Sequence, residues 1–253
     1  MASPPSERKA LLFSAGGVRL ALRLAHIREI VEVAPGEGEV RSRGETVPSA
    51  FVAVVLGLPA AAARYALLAE GAALRVEALH GIVDLADAEV FQLPARTALP
   101  QPPPFAGAVV WKNDVALELA VSSIGFSPLE PAEEGPPPAL DPDAVAPDRE
   151  LLFARAGRTY GVPLSLLVQV LEGARVSPVP LAPPSHRGLV YHGRALHPVV
   201  DVAVRYGEPA PAEGRNVLLL DAGGAGVGVV ADRVLGVGEG GEGIVRPAWD
   251  AIF

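Results

Sequence analysis

Apolar side chains recur along this chain mostly at every second position, in short runs bounded by glycine, proline or asparagine. That is the period of half-buried strands. Leu11 and Phe13 alternate with Leu12 and Ser14, Gly16-Gly17 turns the chain, and Leu20, Leu22 and Leu24 return, which predicts an opening hairpin. The next stretch, residues 26–31, is too short for its period to separate helix from strand. Apolar segments follow at 46–56, 65–68 and 74–83, then a Pro-rich loop at 94–104 and a hairpin whose arms, 108–111 and 115–121, flank Asn113-Asp114. Helix-period runs are scarce, so the fold class is mainly β.

The stretch at 187–207 is the most regular. Two apolar runs stand either side of His192-Gly193-Arg194, which predicts a hairpin closed by a Gly-containing turn. In the second run Leu196, Pro198, Val200, Val202 and Val204 share one face, while Val199, Asp201 and Arg205 share the other. The first face is expected to pack and the second to be available.

The pattern of the first half begins again in the second. At a shift of 140, Leu11-Leu12-Phe13 meets Leu151-Leu152-Phe153, Gly17 meets Gly157, and Leu20, Leu22 and Leu24 meet Tyr160, Val162 and Leu164. At a shift of 150, Gly38, Pro48, Val52, Val54 and Gly57 meet Gly188, Pro198, Val202, Val204 and Gly207. At 155, Glu77 and Gly81 meet Asp232 and Gly236. The order is kept and the shift only grows, as a tandem duplication with small insertions requires. The second copy has a Pro-rich insertion at 177–186 and no counterpart of the first copy's last hairpin, so either the chain is cut short or another segment fills the gap and covers that sheet edge.

Composition adds boundaries. The chain has 253 residues, which favours two domains. Residues 127–149 hold seven prolines and six acidic residues with little to bury, and read as a linker. The expected plan is a disordered N-terminus at 1–8, a domain at 9–126, the linker at 127–149 and a domain at 150–253. The linker carries −5 of the net charge of −8, so the folded parts are near neutral. A nucleic-acid binder is disfavoured for want of a basic stripe. No window of ~18 uninterrupted apolar residues exists to insert into a membrane. With no signal-peptide pattern and no cysteine, the expected location is the cytoplasm.

Reactive chemistry finds little support. His186, His192 and His197 are spaced by six and five, which fits neither finger patterns nor a paired helical face. The glycine-rich run at 221–228 lacks the third glycine of a dinucleotide fingerprint and reads as a hairpin turn. There is no nucleophile elbow, Walker loop or cysteine nucleophile. No enzyme, cofactor or metal is expected; the rival from another class is a small-ligand or metal-binding β protein using the 186–197 region.

The second copy resembles a CheW-like domain, the adaptor module that couples chemoreceptors to a CheA-type histidine kinase. The resemblance lies in Leu152-Phe153, Tyr160-Gly161-Val162, the Pro180–Pro184 segment, Gly188-Leu189-Val190, Pro198-Val199-Val200-Asp201-Val202, Gly228-Val229-Val230-Ala231-Asp232 and Ile244-Val245-Arg246-Pro247. The first copy is similar through 20–29, Arg43-Gly44 to Pro48 and the hairpin from Phe105. The resemblance implies tandem CheW-like domains, each of two small SH3-like five-stranded β-barrels. It implies a non-enzymatic scaffold of a bacterial chemosensory or motility complex, binding a kinase regulatory domain, a chemoreceptor cytoplasmic tip or other CheW-like domains. The family's glutamate after the first hairpin falls at Glu29, with Gln169 in the second copy. Its Arg-Gly is kept as Arg43-Gly44 and inverted as Gly193-Arg194, and its aspartate is kept as Asp201 where the first copy has Phe51. With Gly188 these are the expected partner-binding positions, the second copy keeping the larger share. A related alternative is a CheW-derived module serving a polarity or assembly partner outside the receptor array.

Overall fold

A computed structural model describes residues 6–34, 39–69, 71–138, 149–209, 214, 216–238, 241 and 243–252. Most of the expected N-terminal tail (1–5), residues 139–148 of the expected linker, and Gly38 of the repeat alignment lie outside the described residues. The chain divides into two compact units. The described residues of unit 1 fall within Met1–Leu93, Leu99–Ala132 and Val179–Leu181, and those of unit 2 within Pro94–Ala98, Glu133–Pro178 and Ala182–Phe253. Residues 127–138 contain neither helix nor strand.

Unit 1 opens with the expected hairpin, β1 (Lys9–Ala15) and β2 (Val18–Arg23), then β3 (Ile27–Glu32), which settles the ambiguous stretch as strand. The apolar segment at 46–56 is broken into pieces, because Pro48 cannot donate to a ladder. After β4 (Val40–Ser42) come β5 (Glu45–Val47), β6 (Ser49–Phe51) and a single helical turn, α1 (Val52–Val55). Next are β7 (Tyr65–Ala69), β8 (Ala72–Val76), β9 (Ala78–Asp84), β10 (Glu89–Phe91) and the hairpin β11 (Phe105–Trp111) and β12 (Asp114–Leu119). One sheet runs β10-β11-β12-β2-β1-β9, a second β3-β7-β8-β6, and β4-β5 stands as its own pair.

Unit 2 contains β13 (Glu150–Arg155), β14 (Arg158–Pro163), β15 (Leu167–Glu172), β16 (His186–His192), β17 (Ala195–Val200), α2 (Val202–Arg205), β18 (Asn216–Asp221), β19 (Gly226–Ala231), β20 (Arg233–Gly238), β21 (Ile244–Val245) and α3 (Trp249–Ile252). Its sheets are β20-β13-β14-β21 and β15-β18-β19-β17-β16. The glycine-rich run is the β18–β19 turn, where the Gly224 amide donates to Asp221 Oδ1 at 2.6 Å.

The fold is mainly β, and the two units share their irregularities, consistent with a tandem. The register slips between Leu12 and Phe13 in β1–β9 and between Leu152 and Phe153 in β13–β20. It slips again between Ile27 and Glu29 in β3–β7 and between Leu167 and Gln169 in β15–β18. Gly81 (φ 118°) and Gly236 (φ 127°) stand at the first pair of bulges, in backbone that favours glycine. β6 runs parallel to β8 as β17 does to β19.

Two expectations need correction. The apolar run of β17 does not continue to Val204 as strand: it stops at Val200, and Asp201 accepts a hydrogen bond from the Ala203 amide at 3.2 Å and starts α2. Nor is one face of that run available, since Val199 and Asp201 are both 0% exposed. The reason is that the five-stranded sheet is covered on both sides. Val199, Val217 and Val230 pack in one cluster, while Leu218, Leu220 and Val229 pack in another with Phe153, Tyr160 and Trp249. Strands buried on both faces lose the polar alternation that marks a solvent side.

The strand edge that the last hairpin meets in unit 1 is met in unit 2 by a shorter strand. β12 lies parallel to β2 at Leu20 and Ala21; in unit 2 the two-residue β21 lies parallel to β14 at Thr159 and Tyr160. Trp249 then donates from Nε1 to the Gly161 carbonyl at 3.2 Å, and Arg246 pairs at 2.7 Å with the fully buried Glu150.

Candidate functional site

In each unit the third strand and a hairpin tip meet. The bulge between Ile27 and Glu29 turns Glu29 toward the β4–β5 hairpin, and the Ser42 hydroxyl donates to Glu29 Oε2 at 2.6 Å. The matching bulge in β15 sets Gln169 against the β16–β17 hairpin, with His192 Nε2 at 3.0 Å from Gln169 Oε1, an arrangement in which the imidazole donates. Glu29 and Gln169 thus perform the same local task with different partners.

The tips themselves share one backbone. Ser42 pairs with Glu45 and His192 with Ala195, leaving two-residue turns at Arg43-Gly44 and Gly193-Arg194. All four residues have positive φ: 51° and 85° in the first, 58° and 61° in the second. Such a turn matches the twist of the strands it joins and asks for left-handed backbone at both positions. Only one residue of each pair is glycine, and the inverted order is accommodated because both positions are left-handed. Both arginines are exposed.

Unit 1 has a groove beside its tip, of about 660 Å³, with Arg28, Glu29 and Arg43 at its polar side and Val47, Leu68 and Ala72 among its apolar lining. In unit 2 the residue matching Val47 is His197. Its ring reaches from Nδ1 to the Gly226 carbonyl and from Nε2 to the His192 carbonyl, each at 3.2 Å. The approach is close enough that a Cβ on Gly226 would lie 2.4 Å from His197 Nδ1. The imidazole thus stands in unit 2 at the position of the valine that lines the groove in unit 1.

The other expected positions turn inward. Gly188 (φ 134°) is buried against the chain at 177–178, and a Cβ there would sit 2.0 Å from the Ser177 carbonyl oxygen. Asp201 holds a buried ion network: Arg155 donates to it from Nη2 at 2.5 Å, and Arg187 from Nη2 at 2.8 Å. Arg155 is also 0% exposed and reaches Asp232 Oδ1 at 2.6 Å, while Asp232 Oδ2 accepts the Ala156 amide at 2.9 Å. Burial opposes the Arg155 charge, but its hydrogen bonds to Asp201 and Asp232 carry its pKa above the ordinary value. Burial likewise pushes the Tyr160 hydroxyl up to about 12. Asp201 is thus buried, and it holds the partly buried Arg187 in place. Sequence reasoning missed Arg155 and Arg187; the available signal was an aspartate closing an apolar strand, which requires a buried cation or a cap.

The three histidines of the metal hypothesis go separate ways. His192 and His197 are engaged as described, and His186 is held below its ordinary pKa, by burial first. Among the described residues no three potential ligands of the His, Cys, Asp and Glu type converge.

The second unit is a small two-sheet β domain with the buried Asp201 network at its centre. Residues 150–248 match the family model of the CheW-like domain. Unit 1 repeats its topology, consistent with a tandem of such domains. Among solved structures, the scaffolding protein TtCheW from Thermoanaerobacter tengcongensis is similar over 38% of this chain and 67% of that one, at 20% identity and a TM-score of 0.35. No curated protein matches. Among the described residues no helix is long and apolar enough to cross a membrane.

Proposed function

We propose that the chain is a non-enzymatic cytoplasmic adaptor in a bacterial chemosensory or motility signalling complex. It joins a CheA-type kinase regulatory domain, a chemoreceptor tip or another CheW-like domain through its hairpin tips. The observation that supports this reading is the pairing of each tip with a matched polar residue, Glu29 with Ser42 and Gln169 with His192, in a chain whose residues 150–248 match the CheW-like family model. The open groove moves the expected weight of contact toward unit 1. Its apolar floor and charged rim fit the plan of a protein interface, in which buried apolar anchors supply affinity and rim charges select the partner.

The test is calorimetric titration of the full chain with the regulatory domain of a CheA-type kinase from the same source. It is repeated with Arg43→Glu, with Arg194→Glu, and with Val47→His, which copies the residue of unit 2. Saturable binding, weakened about tenfold or more by Arg43→Glu or Val47→His, supports the adaptor reading and its assignment to unit 1. Weakening by Arg194→Glu alone would move the site to unit 2. An absence of heat with the kinase domain and with a receptor-tip peptide would overturn the reading.

A further inference from the structure

Residues 133–135 belong to unit 2 and lie on it as a strap with neither helix nor strand. The Ser185 amide donates to Glu134 Oε2 at 3.2 Å, Arg205 Nη1 donates to the Gly135 carbonyl at 2.6 Å, and the same Nη1 stands 3.8 Å from Glu134 Oε1. The surface beneath is firm. The Ser185 carbonyl accepts the Asp201 amide at 2.8 Å, and the His186 amide, at the start of β16, donates to the Pro183 carbonyl at 2.9 Å. The strap is therefore the part that can leave, since polar contacts at the rim of the unit hold it and no ladder does.

His186 is partly buried where these segments meet. Glu134 of the strap, Arg205 of α2 and the Arg96 carbonyl of the loop at 94–98 all bear on its ring. Arg187, next in β16, is engaged by Asp201. Glu134 Oε1, Ser185 Oγ and His186 Nδ1 are buried without a hydrogen-bond partner among the described residues, the 3.8 Å ion pair being too long to serve as one. The docked strap thus leaves polar atoms unsatisfied on both sides of the contact, which opposes docking.

We propose that residues 133–135 form a proton-released strap: with His186 neutral the strap lies on unit 2, and uptake of one proton by His186 frees it. Two effects compete at the ring. Burial opposes its positive charge and Glu134 favours it; burial is the larger, so the His186 pKa lies below its ordinary value while the strap is down. Release returns the ring to water and toward its ordinary value, ~6.5. The released state then binds the proton more tightly. Docking is complete above ~6.5 and is lost as pH falls through that value toward the docked one. One proton changes the ratio of docked to released strap by at most about tenfold per pH unit. Release leaves Arg205 and the charged His186 on one surface without Glu134, so acid turns that patch of unit 2 cationic.

The test uses the full chain without any kinase or receptor, so it stands or fails apart from the adaptor reading. Glu133 is exposed and the chain has no cysteine, so Glu133→Cys takes a single spin label on the strap. The expected paramagnetic-resonance spectrum is that of a slow label at about pH 7.5 and of a fast one at about pH 5, with circular dichroism unchanged. Adding Glu134→Ala should free the label at both pH values, and adding His186→Asn should remove the transition. In the unsubstituted chain, hydrogen-exchange protection of the Ser185 amide should fall over the same range. A label already fast at the higher pH, a label slow at both, or a transition that survives His186→Asn overturns the proposal. So does a transition accompanied by loss of the circular dichroism, which would report unfolding of the unit instead of release of the strap.

Discussion

A carboxylate receives the turn amide of the opening hairpin in both units, Glu77 from Gly16 at 2.7 Å and Asp232 from Ala156 at 2.9 Å. Around that shared contact the units diverge. Unit 2 buries Arg155 against Asp201 and Asp232. Unit 1 has Ala15 and Phe51 at the places of Arg155 and Asp201, and Phe51 lies half exposed with the Arg75 guanidinium 5.0 Å from its ring centre. Both arrangements support a hairpin, a bulge and a following helical turn. The fold thus needs the turn carboxylate but not the buried ion pair. That agrees with the general finding that a buried pair often contributes no more than a well-packed apolar replacement, while half a pair is costly.

The widest expected gap between the units comes from deleting one charge. Asp201→Ala leaves Arg155 buried without its main partner and should cost unit 2 about 3–5 kcal/mol. Phe51→Ala, on a half-exposed surface, should change unit 1 by about 0.5 kcal/mol. Denaturant unfolding can separate them, because Trp111 reports on unit 1 and Trp249 on unit 2. Replacing both charges, Arg155→Ala with Asp201→Phe, should recover most of the loss; a double variant as unstable as Asp201→Ala alone would show that the network is indispensable to unit 2. Trp249→Ala, which removes a buried side chain packed against β14, should cost about 3 kcal/mol by calorimetry.

Smaller effects come from titration and from the tips. His186 has its folded pKa lowered by burial, so the unfolded chain binds the extra proton first. Stability of unit 2 should be complete above the ordinary histidine value, ~6.5, and fall as pH drops through it toward the folded value. His186→Asn should flatten that slope in melts taken between neutral and mildly acid pH. Ser42→Ala, which deprives Glu29 of a donor it can replace with water, should cost about 0.5–1 kcal/mol and loosen the tip of unit 1 only.

Much of this fold was legible because its strands are short and its turns are chemically explicit. The opening hairpin, the glycine-rich turn and the repeat at shifts of 140, 150 and 155 all follow from alternation and turn residues; the β11–β12 hairpin does too, although its turn lies at Lys112-Asn113, one residue before the expected Asn113-Asp114. The end of β17 was not, because a strand buried on both faces shows no polar period, and Val202 and Val204 continue the alternation by chance of a helical turn. Glu29 and Arg43 line one groove, as a shared site would require, but the groove depends on the size of residue 47, which no local pattern weighs. The role of Asp201 depends on Arg155, 46 positions earlier, and contacts at that distance leave no periodic trace.

The two hairpin tips carry one further consequence. Since both turn positions are left-handed in each unit, an arginine and a glycine can trade places there without rebuilding either strand. The exchange displaces the cationic side chain by one backbone step, ~3.8 Å, and re-aims it. One backbone can therefore present its cation at either of two neighbouring positions, and the choice between them costs no change in the strands that carry it.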